Sequence, residues 1–100
     1  MEVEFANRSL DQLEVDAAYD AGYPPETVRK YRKRLQMIRA AVDERDFYGL
    51  KALRYKKLKG SRAHQRSMRL NDQWRLVLEL VDQEDRRIVR VVAVEDYHKG

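Results

Sequence analysis

Arg66-Ser67-Met68-Arg69-Leu70, then Trp74-Arg75-Leu76-Val77-Leu78-Glu79-Leu80-Val81, then Ile88-Val89-Arg90-Val91-Val92-Ala93-Val94 are the three runs that decide the fold. The first alternates Arg66, Met68 and Leu70 with Ser67 and Arg69, which predicts a strand around residues 64–70. The second places Trp74, Leu76, Leu78 and Leu80 on one face and Arg75, Val77 and Glu79 on the other, a strand over 74–81. The third, 88–94, is apolar on both faces, the pattern of a central strand covered on both sides. Asn71-Asp72-Gln73 and residues 82–87 are the hairpin connections.

Upstream, Glu2-Val3-Glu4-Phe5-Ala6 alternates and predicts a short N-terminal strand. Ser9 followed by Gln12 has capping-box spacing and is expected to open a helix carrying Leu10, Leu13 and Ala17, stopped at Gly22. Pro24-Pro25-Glu26 suits the entry to a second helix, where proline costs little. That helix is expected to bury Val28, Tyr31, Leu35, Ile38 and Val42 and to show Arg29, Lys30, Lys33 and Arg34 on its other side. Residues 46–61 have no dominant period, although Phe47, Tyr48, Leu50 and Leu53 need a core, and Gly60-Ser61 marks a turn. The order β-α-α-β-β-β gives an α+β architecture: an N-terminal strand and a helical hairpin packed on one face of a mostly antiparallel β-sheet, with the other face partly open. We read residues 1–100 as a single domain.

Of the residues, 43% are hydrophobic, as in a globular protein, and 38% are charged, well above the usual quarter. There is no cysteine, which excludes disulfides and thiolate metal sites. The acidic start Met1-Glu2-Val3-Glu4 lacks the apolar stretch of a signal peptide, and no apolar run reaches membrane-spanning length. A cytoplasmic protein with no membrane association is expected. The net charge of +4 conceals an asymmetry. Residues 1–28 hold one basic side chain against seven acidic ones, residues 29–75 hold sixteen against four, and residues 76–100 hold four against six. A segment of +12 is either a solvated basic surface or the electrostatic footprint of a phosphate-backbone binder. Phosphate loops, HExxH, CxxC and nucleophile-elbow motifs are all missing from the sequence.

From Leu58 onward the order of features is specific: the basic turn Leu58-Lys59-Gly60-Ser61-Arg62, the Asn71-Asp72-Gln73 turn, the Trp74-Arg75 pair opening the next strand, and Val94-Glu95-Asp96-Tyr97-His98 near the end. In these the chain resembles the HigB/GraT branch of the RelE/ParE toxins, the plasmid-maintenance killer proteins. The resemblance implies a RelE-like fold and a type II toxin that cuts mRNA on the ribosome without a metal or other cofactor. It implies a helix-turn-helix, HigA-like antitoxin as partner, and contact with operator DNA only through that antitoxin.

RNA cleavage of this kind needs a base for the 2′-hydroxyl proton, cations for the pentavalent phosphate and an acid for the leaving 5′-oxygen. The resemblance makes His98 the first catalytic candidate, and imidazole is the side chain that titrates near neutrality unaided. By itself, His98 reads as a solvated histidine. Arg75, the arginine of the Trp-Arg pair, comes next, with Glu79 as its ordinary partner. Asp96 is placed to orient His98 or to pair with a nearby cation. Tyr97 is expected to stack on a base or to be a half-buried strand tyrosine. On an unbroken strand Asp96 and His98 share one side and Tyr97 takes the other, so convergence needs a bulge. Many HigB chains read His-Pro-Leu-Lys-Gly where this one reads Lys56-Lys57-Leu58-Lys59-Gly60. Lys56 thus replaces an active-site histidine. A solvated lysine, with a pKa near 10.4, is a poor base at pH 7 but serves as a positive charge on phosphate. Lys57, Lys59, Arg62, Arg66 and Arg69 are expected to position the RNA backbone, and His64 reads as surface. Two other readings stay open: a ParE-like inhibitor of DNA gyrase, and a catalytically inactive RelE-like RNA-binding module.

Overall fold

The computed structural model describes residues 1–97. Five strands form one sheet in the order β1-β5-β4-β3-β2: β1 (Glu2–Phe5), β2 (Lys56–Lys57), β3 (Gln65–Arg69), β4 (Trp74–Gln83) and β5 (Arg86–Asp96). Only the β1–β5 pair is parallel. Helices α1 (Arg8–Val15) and α2 (Pro25–Ala40) cover one face, and the short α3 (Arg45–Tyr48) follows. The α+β architecture is the one the periodicity predicts, with β2 and α3 added from the stretch that has no dominant period. Strand β5 is internal, between β1 and β4, as expected of a central strand, but helices cover only one of its faces; Arg90, Ala93 and Glu95 lie on the helix-free one.

Helix α2 forms the spine of the core. Pro25 occupies its first turn, and Val28, Tyr31, Leu35 and Ile38 are buried along one stripe. Each fully buried side chain of this size contributes about 1.5–3 kcal/mol. The Tyr31 hydroxyl donates to the Leu10 carbonyl oxygen at 2.7 Å and ties α2 to α1. The stripe stops one residue short of the expectation. Ala41 is extended, so Val42 leaves the helix and is 85% exposed.

Helix α1 is capped by Asn7, not Ser9. The Asn7 side chain accepts from the Leu10 amide at 3.0 Å, whereas the Ser9 hydroxyl meets that of Tyr19 at 2.7 Å. The helix also ends at Val15, well before Gly22 and without Ala17. Asp16 is extended and accepts from the Ala18 amide in a local turn, and Arg32 donates to the carbonyl oxygens of Leu13, Asp16 and Tyr19. The carbonyls that a longer helix would have bonded are satisfied by that arginine. Between α2 and β3, Phe47 and Leu53 enter the core, but Tyr48 and Leu50 are 54% and 48% exposed, against expectation.

Register fixes the two faces. Trp74, Leu76, Leu78 and Leu80 stand opposite Asp96, Val94, Val91 and Val89 on the helix side. The register shift in β5 leaves Val92 as the extra residue between Val91 and Ala93. The helix-free face carries Lys56, Gln65, Ser67, Arg69, Arg75, Val77, Glu79, Arg90, Ala93 and Glu95. Ser67 and Val77 are buried in its middle, and charged groups flank them at either end.

Candidate RNA-cleaving site

At one end of the helix-free face a depression is lined by Arg54, Lys56, Arg69, Asp72 and Tyr97. Local structure aims each side chain. Arg54 takes the left-handed conformation (φ 45°) that ends the 3-10 turn Lys51–Leu53 and starts the chain toward β2. Lys56 lies on edge strand β2 opposite Ser67. Arg69 ends β3 opposite Arg75. The Asn71 side chain accepts from the Gln73 and Trp74 amides and donates to the Thr27 hydroxyl, which pins the β3–β4 turn to α2. Tyr97 is held at the end of β5 by its amide, which donates to the Gln73 carbonyl oxygen at 2.8 Å.

Arg75 lies beside this depression with its guanidinium carbon 5.4 Å from the centre of the Tyr97 ring, a cation–π contact. It donates to Glu95 at 3.1 Å, and Glu95 also takes two hydrogen bonds from Arg62, at 3.0 and 2.7 Å. Burial raises the pKa of the Glu95 carboxyl, but the hydrogen bonds and charges of Arg62 and Arg75 outweigh it and hold the group below the ordinary carboxylate range. The Arg75 Nε is buried with no partner among the described residues, as is the Ser67 hydroxyl. An unpartnered buried donor is costly.

The structure therefore brings Lys56, Arg69 and Tyr97 together and puts Arg75 next to them. It does not bring Asp96 to the same side. Asp96 stands opposite Trp74 on the helix side and accepts from the Gln73 side-chain amide at 2.9 Å. The bulge at Val92 lies upstream and leaves Asp96 and Tyr97 on opposite faces. His98 is outside the described residues. Of the expected backbone-positioning residues, Lys57 and Lys59 are exposed. Arg62 is committed to Glu95 and Gln65. Arg66 lies on the helix side opposite Leu78, where it donates to Glu44 at 3.0 Å. Glu44 also accepts from Tyr55 at 2.6 Å, and burial followed by that hydrogen bond pushes the Tyr55 phenol well above its usual range. Sequence reasoning gave Arg54, Asp72 and Glu95 no place in the site. Only the alternation of β5, read together with the Arg75–Glu95 pairing, could have flagged Glu95.

Residues 3–98 match the family model described as HigB-like toxin, RelE-like toxin of type II toxin-antitoxin system HigB. No curated protein matches the chain. Among solved structures, a YoeB/ParE toxin from Agrobacterium tumefaciens is 20% identical with a TM-score of 0.64, covering 98% of this chain and 100% of that one. YafQ from E. coli strain BL21(DE3) is 13% identical with a TM-score of 0.59, covering 96% and 92%. The chain matched in the E. coli DinJ-YafQ complex is 12% identical with a TM-score of 0.52 and the same coverage. At these identities the structures support a shared fold.

Proposed function

The chain belongs to the HigB-like toxins, the RelE-like toxins of type II toxin–antitoxin systems, and from that premise we propose that it is a metal-independent endoribonuclease that cuts mRNA in the ribosomal decoding site. The observation that carries this reading is the grouping of Arg54, Lys56, Arg69 and Tyr97 around one depression, with Arg75 stacked on Tyr97. In the proposed reaction the 2′-oxygen loses its proton and attacks the adjacent phosphorus, the bond to the 5′-oxygen breaks, and that oxygen takes up a proton. The products are a 2′,3′-cyclic phosphate and a 5′-hydroxyl. Lys56, Arg69 and Arg75 bear on the phosphate, whose developing charge is the largest barrier term such a site can lower. Tyr97 stacks on a neighbouring base through its exposed face. His98 moves the protons; Asp96, bonded to Gln73 on the helix side, lies on the face away from the cleft. Lys57, Lys59 and Arg62 are assigned to backbone positioning, the last after exchange of its carboxylate partner, whereas Arg66 faces the helix side and stays with Glu44.

An antitoxin partner follows from the family; we propose that it is a helix-turn-helix protein of the HigA kind that also carries the toxin to operator DNA. E. coli YafQ is found in complex with DinJ. No helix of the described residues is long and apolar enough to cross a membrane, and the proposed target places the protein in the cytoplasm. The test is primer extension on a defined mRNA with purified ribosomes, comparing wild type with His98→Ala. Codon-phased cuts that need the ribosome and vanish in the variant support the reading. Cuts that survive move the proton transfer to other residues. Absence of cleavage by folded, antitoxin-free protein contradicts it and favours gyrase inhibition or an inactive fold.

A further inference from the structure

A second depression, lined by Lys30, Arg34, Ala52, Arg69, Leu70, Asn71 and Asp72, adjoins the first and shares Arg69 and Asp72 with it. Lys30 and Arg34 are one helical turn apart on α2 and project side by side. Arg34 has no carboxylate partner among the described residues; Lys30 makes no ion pair there, although the Glu26 carboxylate one turn back feels its charge. The Arg34 Nε donates to the Arg69 carbonyl oxygen at 3.1 Å, which fixes the guanidinium beside a second arginine and leaves its other nitrogens unassigned. Burial, then the Arg69 charge, lowers the Arg34 pKa, as expected of a cation held near a like charge without an anion between them. By contrast, Arg29 on the same helix is closed on Glu26, and Arg39 on Glu14.

We propose that Lys30 and Arg34 hold the phosphate of a nucleotide neighbouring the cleaved one, so that a single RNA strand runs from the cleft over Arg69 onto α2. This rests on the RNA-cleaving reading of the cleft and extends it to a binding track that specifies no base. Asp72, which is fully exposed and ion-paired with Arg69, is a carboxylate lining the track and weakens it.

The test is binding of a short, uncleavable 2′-O-methyl oligoribonucleotide, followed by fluorescence anisotropy as salt is raised. The variants are Lys30→Ala/Arg34→Ala, Lys30→Glu alone, and the control Arg86→Ala/Arg87→Ala at the far end of the sheet. Each phosphate contact contributes about 0.7 to the slope of log K against log salt. The track predicts that the α2 double variant lowers the slope by about 1.4, that Lys30→Glu weakens binding without touching Arg34, that Asp72→Asn tightens it, and that the control leaves the slope unchanged. Wild-type binding with equal slopes for both double variants overturns the track and leaves the cleft reading intact. No binding by wild type overturns the track and leaves the ribosome-dependent cleft reading to the primer-extension test.

Discussion

At one end of the helix-free face Arg90 donates to Glu4 at 2.9 Å and lies 3.7 Å from Glu79, which also takes Gln65 and faces His64 at 3.6 Å. At the other end Arg54 and Lys56 have no carboxylate partner among the described residues, and Arg62 and Arg75 share the single carboxylate Glu95. The two ends lie on the same strands and use the same residue types. The first sets one arginine against two carboxylates, whereas the second sets five cations (Arg54, Lys56, Arg62, Arg69 and Arg75) against two, Asp72 and Glu95. The first end is closed on itself and stabilises the sheet edge by the small amount typical of exposed pairs. The second keeps uncompensated positive charge, and it is there that an anion gains most.

Removing charge at the open end should have the largest effect. Lys56→Ala is expected to lower mRNA cleavage by about 10²-fold, the scale of one lost charge-stabilising group. Because Lys56 is exposed, its melting temperature should match wild type, and a large drop would instead mark it as structural. Glu95→Gln should come next. It leaves Arg62 and Arg75 without their shared countercharge and is expected to cost about 1–2 kcal/mol, read as a lower thermal midpoint, and to slow cleavage by releasing Arg75.

Acid titration sharpens the same point. The Glu95 carboxyl is held below its ordinary range in the folded protein, so its contribution is fully present above the unfolded value, near 4.3, and is lost as pH falls through the folded value. Wild type should therefore converge on Glu95→Gln in thermal stability as pH drops from 6 toward 3; a constant gap would locate the acid sensitivity elsewhere. The smallest effect belongs to the closed end. Glu79→Gln should change stability by about 1 kcal/mol or less and leave cleavage unchanged.

Much of this architecture was legible in the sequence because strong periods survive folding. The Val28, Tyr31, Leu35 and Ile38 stripe, the alternation of β4 and the doubly apolar β5 each specify their element locally. The misses lie where a distant partner decides. Arg32 takes the carbonyls that end α1, and nothing near Val15 announces it. Strand β2 is two lysines long and exists through its pairing with Arg66 and Ser67. The +12 segment was plain, but which of its cations stay open was not, because the carboxylates that occupy Arg62 and Arg66 are 33 and 22 residues away. The side of the sheet taken by Asp96 depends on a bulge at Val92 that no single residue type signals.

The most direct measurement sets one arginine from each end of the face against the other in the same assay. Arg75→Ala and Arg90→Ala would be compared by primer extension on one mRNA with purified ribosomes, each variant first shown to be folded. Cleavage lost by about 10²-fold or more in Arg75→Ala and retained in Arg90→Ala is the predicted result. Equal cleavage by the two variants would contradict the placement of the chemistry at the open end.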